Sequence, residues 1–328
     1  MGVRATPVLD RRLAIDLVSV TERAAVAAAR WRGRGDEPAA DEAAMQGAHR
    51  ELMRTSISGK IVIGEGVLGE VQRLYLGEAV GVGGADLDVA VDALEGTTLC
   101  AKNMAGSISV LVLAERGSLL NAPPVYMEKI AIGPGYPQGV VSLSATPGEN
   151  IAALAKARGV ATSDITALVL DRPRHSALIE AIRTAGASVK LITDGDVAGI
   201  IHTTNPRESG VDIYLGTGGA AEGVLAAAAL RCLGGQMEGR LVLDTDAKRK
   251  QAKALGIRDP SKVYSAQDMV SGDCLVAATG VTNGPLLNGV RFGRDTIETD
   301  TLLMRAATGT LRRIASTHRD LERFVAEG

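Results

Sequence analysis

The stretch ALVLDRPRHSALIEAIRTAGASVKLITDGDVAGII, residues 167–201, alternates short aliphatic runs with segments of helical spacing. Ala167–Leu170 has the length and apolar continuity of a buried strand, and Ser176–Ala185 has helical spacing. Val189–Ile192 reads as a second strand, and Val197–Ile201 opens a further helix. The pattern continues outward with a strand at Asp212–Leu215 and a helix at Glu222–Leu233, an alternation that predicts α/β layers. Toward the N-terminus, Lys60–Ile63, Leu87–Val91 and Ile108–Leu113 read as strands. Ahead of them, residues 9–31 are amphipathic at helical spacing, GRGDEP at 33–38 interrupts them, and Pro38 suits the first turn of a helix reaching about Leu52. The texture changes near Thr146–Glu149, where Pro147-Gly148 sits, which places a boundary between residues 1–146 and 147–328.

Composition narrows the function classes. The 328 residues are 46% hydrophobic and 23% charged, a globular balance rather than a disordered one. One Trp, five Tyr and two Phe are too few for a base-stacking surface, and 36 basic against 38 acidic residues leave no cationic surplus, so nucleic acid is not an expected partner. No apolar run reaches the roughly 18 residues of a membrane span, and the first residues lack a signal-peptide pattern. The cysteines, Cys100, Cys232 and Cys274, are odd in number and widely spaced, as expected of reduced thiols in a cytoplasmic protein.

Five constellations carry chemistry. In LDVAVDALEGTT (87–98) a strand ends in Asp92, with Glu95 three residues on and then Gly96-Thr97-Thr98. Two carboxylates so spaced suit an oxygen-loving cation such as Mg2+ or Mn2+, and the following N–H groups suit a phosphate. Helix capping accounts for one of these acids but not for the Gly-Thr pair. Glu65 in VIGEG (62–66) is an acid beside glycines and Asp41 in GDEPAADEAA (35–44) an acid within a helix; each taken alone reads first as a solvated surface acid. DIYLGTGGAAEG (212–223) reads as strand, glycine-rich turn and helix, an anion cradle with Glu222 in the first turn. It also satisfies the letter of G-x-G-x-x-G/A, with Glu238 at the distance of a ribose-binding acid, although Glu222 would crowd a pyrophosphate. Finally, DRPRH (171–175) and TDGDVAG (193–199) sit at strand ends, where Arg172 and Arg174 suit a phosphate, Asp194 and Asp196 suit sugar hydroxyls, and His175 suits a supporting or capping role. Acids converging without a cation would repel, so the set suits metal-assisted attack of water on a phosphate ester.

Together GRGD, AADEAA, GKIVIGEG, LYLGE, VDALEGTTLCAKNM, VYMEKIAIGP, RPRH, ITDGDVAGII, DIYLGTGGAAEG and ATGVTNG make the chain, from about Arg12 to His318, resemble the class II fructose-1,6-bisphosphatases. These belong to the lithium-sensitive, metal-dependent sugar phosphatases. The resemblance implies a layered α-β-α-β-α sandwich of two sub-domains. Residues 1–146 would form the metal-binding phosphatase part and 147–328 the sugar-binding part, with Glu222 returning to the shared site. It further implies that Asp41, Glu65, Asp92, Glu95 and Glu222 hold Mg2+ or Mn2+. Glu95, Gly96, Thr97, Tyr126, Arg172, Pro173, Arg174, Asp194, Gly195, Asp196 and Gly219 would contact the sugar phosphate, and Thr97 would help activate water. A cytoplasmic, gluconeogenic homodimer or homotetramer is the implied setting, with a small sugar phosphate as the partner molecule.

Three departures bear on that expectation. The family's Lys before the Asp41 position is Glu37, its Asp after GEG is Gly69, and its Pro in the DPLEGT pattern is Ala93. Loss of a general base costs about 10²–10⁴-fold in rate, with Glu70 the neighbouring acid able to replace it. The expected activity is removal of the 1-phosphate of a ketose bisphosphate, by default fructose-1,6-bisphosphate to fructose-6-phosphate. A related sugar phosphate of specialised metabolism, and a catalytically weakened sugar-phosphate binder, are the alternatives.

Overall fold

Alternating apolar positions along the chain build two sheets, each with its own helices. The computed structural model describes residues 9–324, so the start of the chain read above for a targeting pattern lies outside the described residues. In chain order the first segment comprises α1 (Leu13–Ala29), α2 (Glu37–Leu52), β1 (Ile57–Ile63), β2 (Ala79–Val80), β3 (Ala85–Glu95), α3 (Thr97–Ala101) and β4 (Ile108–Glu115). The middle comprises β5 (Tyr126–Ile132), α4 (Pro147–Arg158), β6 (Thr166–Leu170), α5 (Ser176–Thr184), β7 (Ser188–Ile192), α6 (Asp196–His202), α7 (Pro206–Ser209), β8 (Ile213–Gly219), α8 (Ala220–Leu233), β9 (Gln236–Leu241), α9 (Asp246–Ala254), β10 (Val263–Ser265) and α10 (Ala266–Met269). Four strands close the chain: β11 (Cys274–Gly280), β12 (Arg291–Phe292), β13 (Ile297–Arg305) and β14 (Thr310–His318).

The compact units are residues 1–119 with 271–328, and residues 120–270. This partition differs from the boundary expected at 146/147. Thr146 there is the N-cap of α4, in a reciprocal capping box with Glu149 and with Pro147 in the first turn, so Pro-Gly marks a helix start rather than a domain edge.

In the first unit the sheet runs β2-β1-β3-β4-β11-β13, with β14 and β12 both pairing with β13. Leu87, Val89 and Val91, Leu111 and Leu113, and Leu275 and Ala277 share the odd-numbered face and form one core with Leu13, Leu17 and Ala24 of α1 and Ala44 and Ala48 of α2. The unit is thus a helix layer on a sheet. In the second unit the order is β10-β9-β5-β8-β6-β7, with β6 parallel to β7 and β8, and β5 antiparallel to β8 and β9. Ile130, Ala167, Val169 and Ile213 meet Ile151 and Leu154 of α4 and Ile179 and Ile182 of α5 on one face. On the other face Gly199 of α6 lies against Leu168 and Tyr214, and Gly223 of α8 against Met127 and Lys129. Helices therefore cover both faces, as the α/β alternation predicts. Among the described residues no helix is long and apolar enough to cross a membrane.

Candidate functional site

β3 continues past the expected end at Asp92 to Glu95, and its last turn of register organises the acids. Asp92 pairs with Val110 and Glu95 with Ile108, so three steps along β3 answer two along β4. Residues three apart on a regular strand point to opposite faces, and the one extra residue cancels that alternation. A carboxylate oxygen of Asp92 and one of Glu95 accordingly lie within 4.8 Å of each other. Glu65, in the turn after β1, joins them: its Oε1 accepts the Ala93 N–H at 2.7 Å, while Asp92 Oδ1 accepts the Leu94 N–H at 3.1 Å. Ala93 stands where the resemblance expects proline, so the N–H that tethers Glu65 is one a proline would not supply. Glu95 is buried, and Ser107 Oγ donates to its carbonyl.

Beyond Glu95, Gly96 adopts φ +80° and turns the chain into α3, with the half-buried Thr97 as its first residue. α3 has five residues, little more than one helical turn. Asp41 sits in the body of α2, whose N-cap is Asp36, accepting from the Ala39 N–H at 3.0 Å. Burial, and then Glu42 beside it, push the Asp41 carboxyl above the ordinary range. Glu37 lies in the first turn of α2, where an acid complements the helix N-terminus. Glu70 is exposed in the turn Val67–Glu70, its N–H on the Val67 carbonyl, and Gly69 there has φ +100°.

In the second unit the glycines of GTGG form no turn. Gly216, Gly218 and Gly219 belong to β8 and pair with Lys129, Met127 and Tyr126 of β5, so the ladder keeps them extended up to the start of α8. Their missing side chains make room for charge. A Cβ on Gly218 would overlap the Asp196 carboxylate, and one on Gly219 would overlap the Glu222 carboxylate. The reading of this stretch as a glycine-rich cradle for a dinucleotide is thereby corrected. Glu238, the supposed ribose acid, accepts instead from Ser142 Oγ and the Leu143 N–H.

A buried lysine, missed in the sequence, holds this cluster. Lys129 Nζ donates to Asp196 Oδ2 at 2.5 Å and to the Gly219 carbonyl at 2.9 Å, and Tyr214 Oη donates to the same Asp196 oxygen at 3.2 Å. Asp196 is therefore a buried, paired acid at the start of α6, beyond the left-handed Gly195 (φ +83°). Asp194 precedes it, half-buried, with Oδ1 on the Gly195 N–H. Burial raises the Glu222 carboxyl, Lys129 opposes this, and Asp196 and Asp194 add to the rise. Among the described residues Glu222 Oε2 is buried and accepts no hydrogen bond. The signal for Lys129 was a lone cation in the apolar strand Met127–Ile132, a position where unpaired lysine is rare.

Tyr126 and Arg174 gather beside Gly219. Tyr126 faces Gly219 across the β5–β8 ladder, and the Arg174 guanidinium lies 4.8 Å from the Tyr126 ring. Arg174 Nε and Nη2 also donate to the Thr217 carbonyl, at 3.0 and 2.7 Å, leaving it exposed but aimed. Arg172 is half-buried ahead of the single turn Pro173–His175, and Pro173 is exposed. His175 is buried, its Nε2 accepting the Thr217 N–H at 2.8 Å and its Nδ1 donating to the Leu170 carbonyl at 2.7 Å. Burial holds this imidazole below its ordinary value, so it stays neutral and pins the arginine loop to β8.

The first unit thus gathers Glu65, Asp92 and Glu95, and the second gathers Tyr126, Arg174 and Gly219 and, separately, Asp194, Asp196 and Glu222. The donor set is entirely carboxylate, which matches a hard divalent cation, and the orphaned Glu222 oxygen matches a ligand position. The family described as bacterial fructose-1,6-bisphosphatase, glpX-encoded, matches residues 11–318. The chain is 40% identical to the D-fructose 1,6-bisphosphatase class 2/sedoheptulose 1,7-bisphosphatase of Synechococcus sp. (strain JA-3-3Ab), over 94% of this chain and 96% of that protein. It is 42% identical to the fructose-1,6-bisphosphatase 1 class 2 of Escherichia coli (strain K12), again over 94% of this chain and 96% of the other. With a match along nearly its whole length and a carboxylate set suited to a divalent cation, this chain belongs to the bacterial class II fructose-1,6-bisphosphatase family.

Proposed function

We infer that the protein is a phosphoric monoester hydrolase, a sugar bisphosphatase that removes the 1-phosphate of a ketose bisphosphate, with fructose-1,6-bisphosphate yielding fructose-6-phosphate. The observation that carries this reading is the family match over residues 11–318. In this reading Asp41, Glu65, Asp92, Glu95 and Glu222 hold Mg2+ or Mn2+. The bound cation supplies Lewis-acid polarisation of phosphoryl oxygens and a more acidic water. Thr97, half-buried just beyond Glu95, orients the attacking water, and Glu70 takes its proton in place of the acid absent at Gly69. Tyr126, Arg172, Pro173, Arg174, Asp194, Gly195, Asp196 and Gly219 bind the sugar phosphate, with Gly96 supplying backbone beside it. The Arg174 fork, aimed by the Thr217 carbonyl, grips the phosphate that stays on the sugar. Within that set the Lys129 ammonium holds the Asp196 carboxylate in place. A cytoplasmic homo-oligomer is part of the same reading; of the two, the compartment is supported by three buried free thiols, in keeping with a reducing environment.

Phosphate release from fructose-1,6-bisphosphate with Mn2+ tests this. Wild type should exceed background, and Thr97→Ala should lose about 10²–10⁴-fold. Gly69 favours a second reading, a weakened sugar-phosphate binder, because no carboxylate stands there. That reading is selected if neither protein releases phosphate while the sugar bisphosphate still raises the melting temperature. Gly69→Asp is a less direct restoration than the sequence suggests. At φ +100° an aspartate is strained, so the whole Val67–Glu70 turn must shift.

A further inference from the structure

The stretch LYLGE, Leu74–Glu78, closes the excursion between β1 and β2 that carries Glu65 and Glu70, and no step of the proposed reaction falls to it. Its start is zipped to the turn that bears Glu65. The Glu65 N–H donates to the Leu74 carbonyl at 3.0 Å, and the Leu76 N–H to the Gly66 carbonyl at 2.9 Å. Gly64 permits this approach, since a Cβ there would overlap the Leu74 carbonyl. Leu74 has φ +56°, a left-handed conformation uncommon for a leucine, and its side chain is fully buried in the core shared by α1, α2 and the sheet. Such a conformation persists only where its surroundings over-determine it. Glu78 supplies that constraint: its Oε2 accepts the Leu74 N–H at 2.6 Å, and its Oε1 accepts from His49 Nε2 at 2.9 Å. The side chains of His49 and Glu78 are 24% and 12% exposed, so solvent and salt screen the pair less than a surface one. His49 belongs to α2. Glu42, seven residues earlier on the same helix face, makes a second and more exposed tie to the excursion through Arg73.

We propose that Glu78, anchored by His49, is a positioning residue for the cation site: it holds Leu74 in the conformation whose carbonyl fixes the main chain at Glu65, and it locks that turn to the helix carrying Asp41. This rests on the reading of Asp41 and Glu65 as metal ligands. Asp92 and Glu95 are delivered by one strand and need no such tie. Asp41 and Glu65 come from separate elements, α2 and the turn after β1, so their spacing depends on what joins those elements. The Ala93 N–H pins one oxygen of the Glu65 carboxylate, and the Leu74 carbonyl pins the main chain from which that side chain springs. A ligand held at tip and root loses little freedom when it binds, which is the advantage of a pre-organised site. Glu78 touches neither cation nor sugar in this account; it acts through Leu74.

Two measurements on the full chain test this: titration with Mn2+, read by the electron paramagnetic resonance of the free ion, and amide hydrogen exchange of the metal-free protein. Glu78→Ala should weaken Mn2+ binding about tenfold, as loss of a group that orients a metal ligand does. It should also speed exchange across residues 64–76 and leave β6 and β8 unchanged. Glu78→Gln keeps an acceptor oxygen for the Leu74 N–H and should recover most of both effects, which a role through net charge would not allow. His49→Ala leaves Glu78 on Leu74, should show the same changes at smaller size, and stays informative where melting curves show Glu78→Ala unfolded. The proposal alone is overturned if wild type binds Mn2+ and the folded variants bind it equally, if exchange across 64–76 is unchanged, or if Glu78→Gln is no better than Glu78→Ala. Absence of Mn2+ binding in wild type overturns the metal-site reading, and this proposal with it.

Discussion

At the end of β3, main-chain N–H groups answer the acids; at the end of β8, a lysine does. Glu65 and Asp92 are tethered to the N–H groups of Ala93 and Leu94, on a strand whose extra residue turns Asp92 and Glu95 to one side. Asp196 and Glu222 instead fill the space that Gly218 and Gly219 leave empty, and Lys129 is the compensating charge. The first solution needs a bulge and polar backbone. The second needs a buried cation, and a buried cation is far less tolerant of substitution.

Lys129→Met should therefore have the largest effect. It strands Asp196 and Glu222 and should cost about 3–5 kcal/mol in chemical denaturation. Adding Asp196→Asn should restore part of that; no recovery would mean the pair is not what holds the cluster. Next in size is acid sensitivity in the second unit. Burial, and then Lys190, lower the His202 imidazole from 6.5 to about 4. The unfolded chain binds the proton first, so stability falls as pH drops from about 6.5 to about 4 and levels off below, by up to ~3 kcal/mol. His202→Asn should flatten that slope in melts across this window, whereas an unchanged slope would remove His202 as its source. Gly219→Ala should follow at about 1–3 kcal/mol, the usual cost of overpacking, read by denaturation with and without Mn2+. The smallest effect falls on the β3 side. Ala93→Pro removes the N–H held by Glu65, worth about 1.5–3 kcal/mol to a charged acceptor, and regains about 0.4–1 kcal/mol of chain entropy. A net loss near 1 kcal/mol is expected; a gain would show that the tether is strained.

Much of this was legible beforehand, for specific reasons. β3, β6, α5, β7 and α8 were visible because their apolar periods and their punctuation agree, and the placement of Asp92 at the end of β3 and of Arg174 between β6 and α5 followed from those elements. The bulge was not legible, since a register depends on β4 as well as β3. Nor was the fate of GTGG: four residues rich in glycine read as a turn until the ladder with β5 holds them straight. Lys129 was hidden because its partners, Asp196 and Gly219, lie 67 and 90 residues away. The boundary at Pro147 misled for the opposite reason, a strong local signal with only local meaning.

The discontinuous first unit also governs how the chain folds. β4 pairs along its length with β11, so Ser109 meets Thr279 and Leu113 meets Leu275 across the intervening unit. During synthesis the edge of β4, a run of seven buried residues, has no partner until the second unit has emerged, whereas residues 120–270 are contiguous and can close first. The waiting strand edge is the segment most exposed to misassociation on the ribosome. Limited proteolysis of stalled chains should find the second unit protected well before β4.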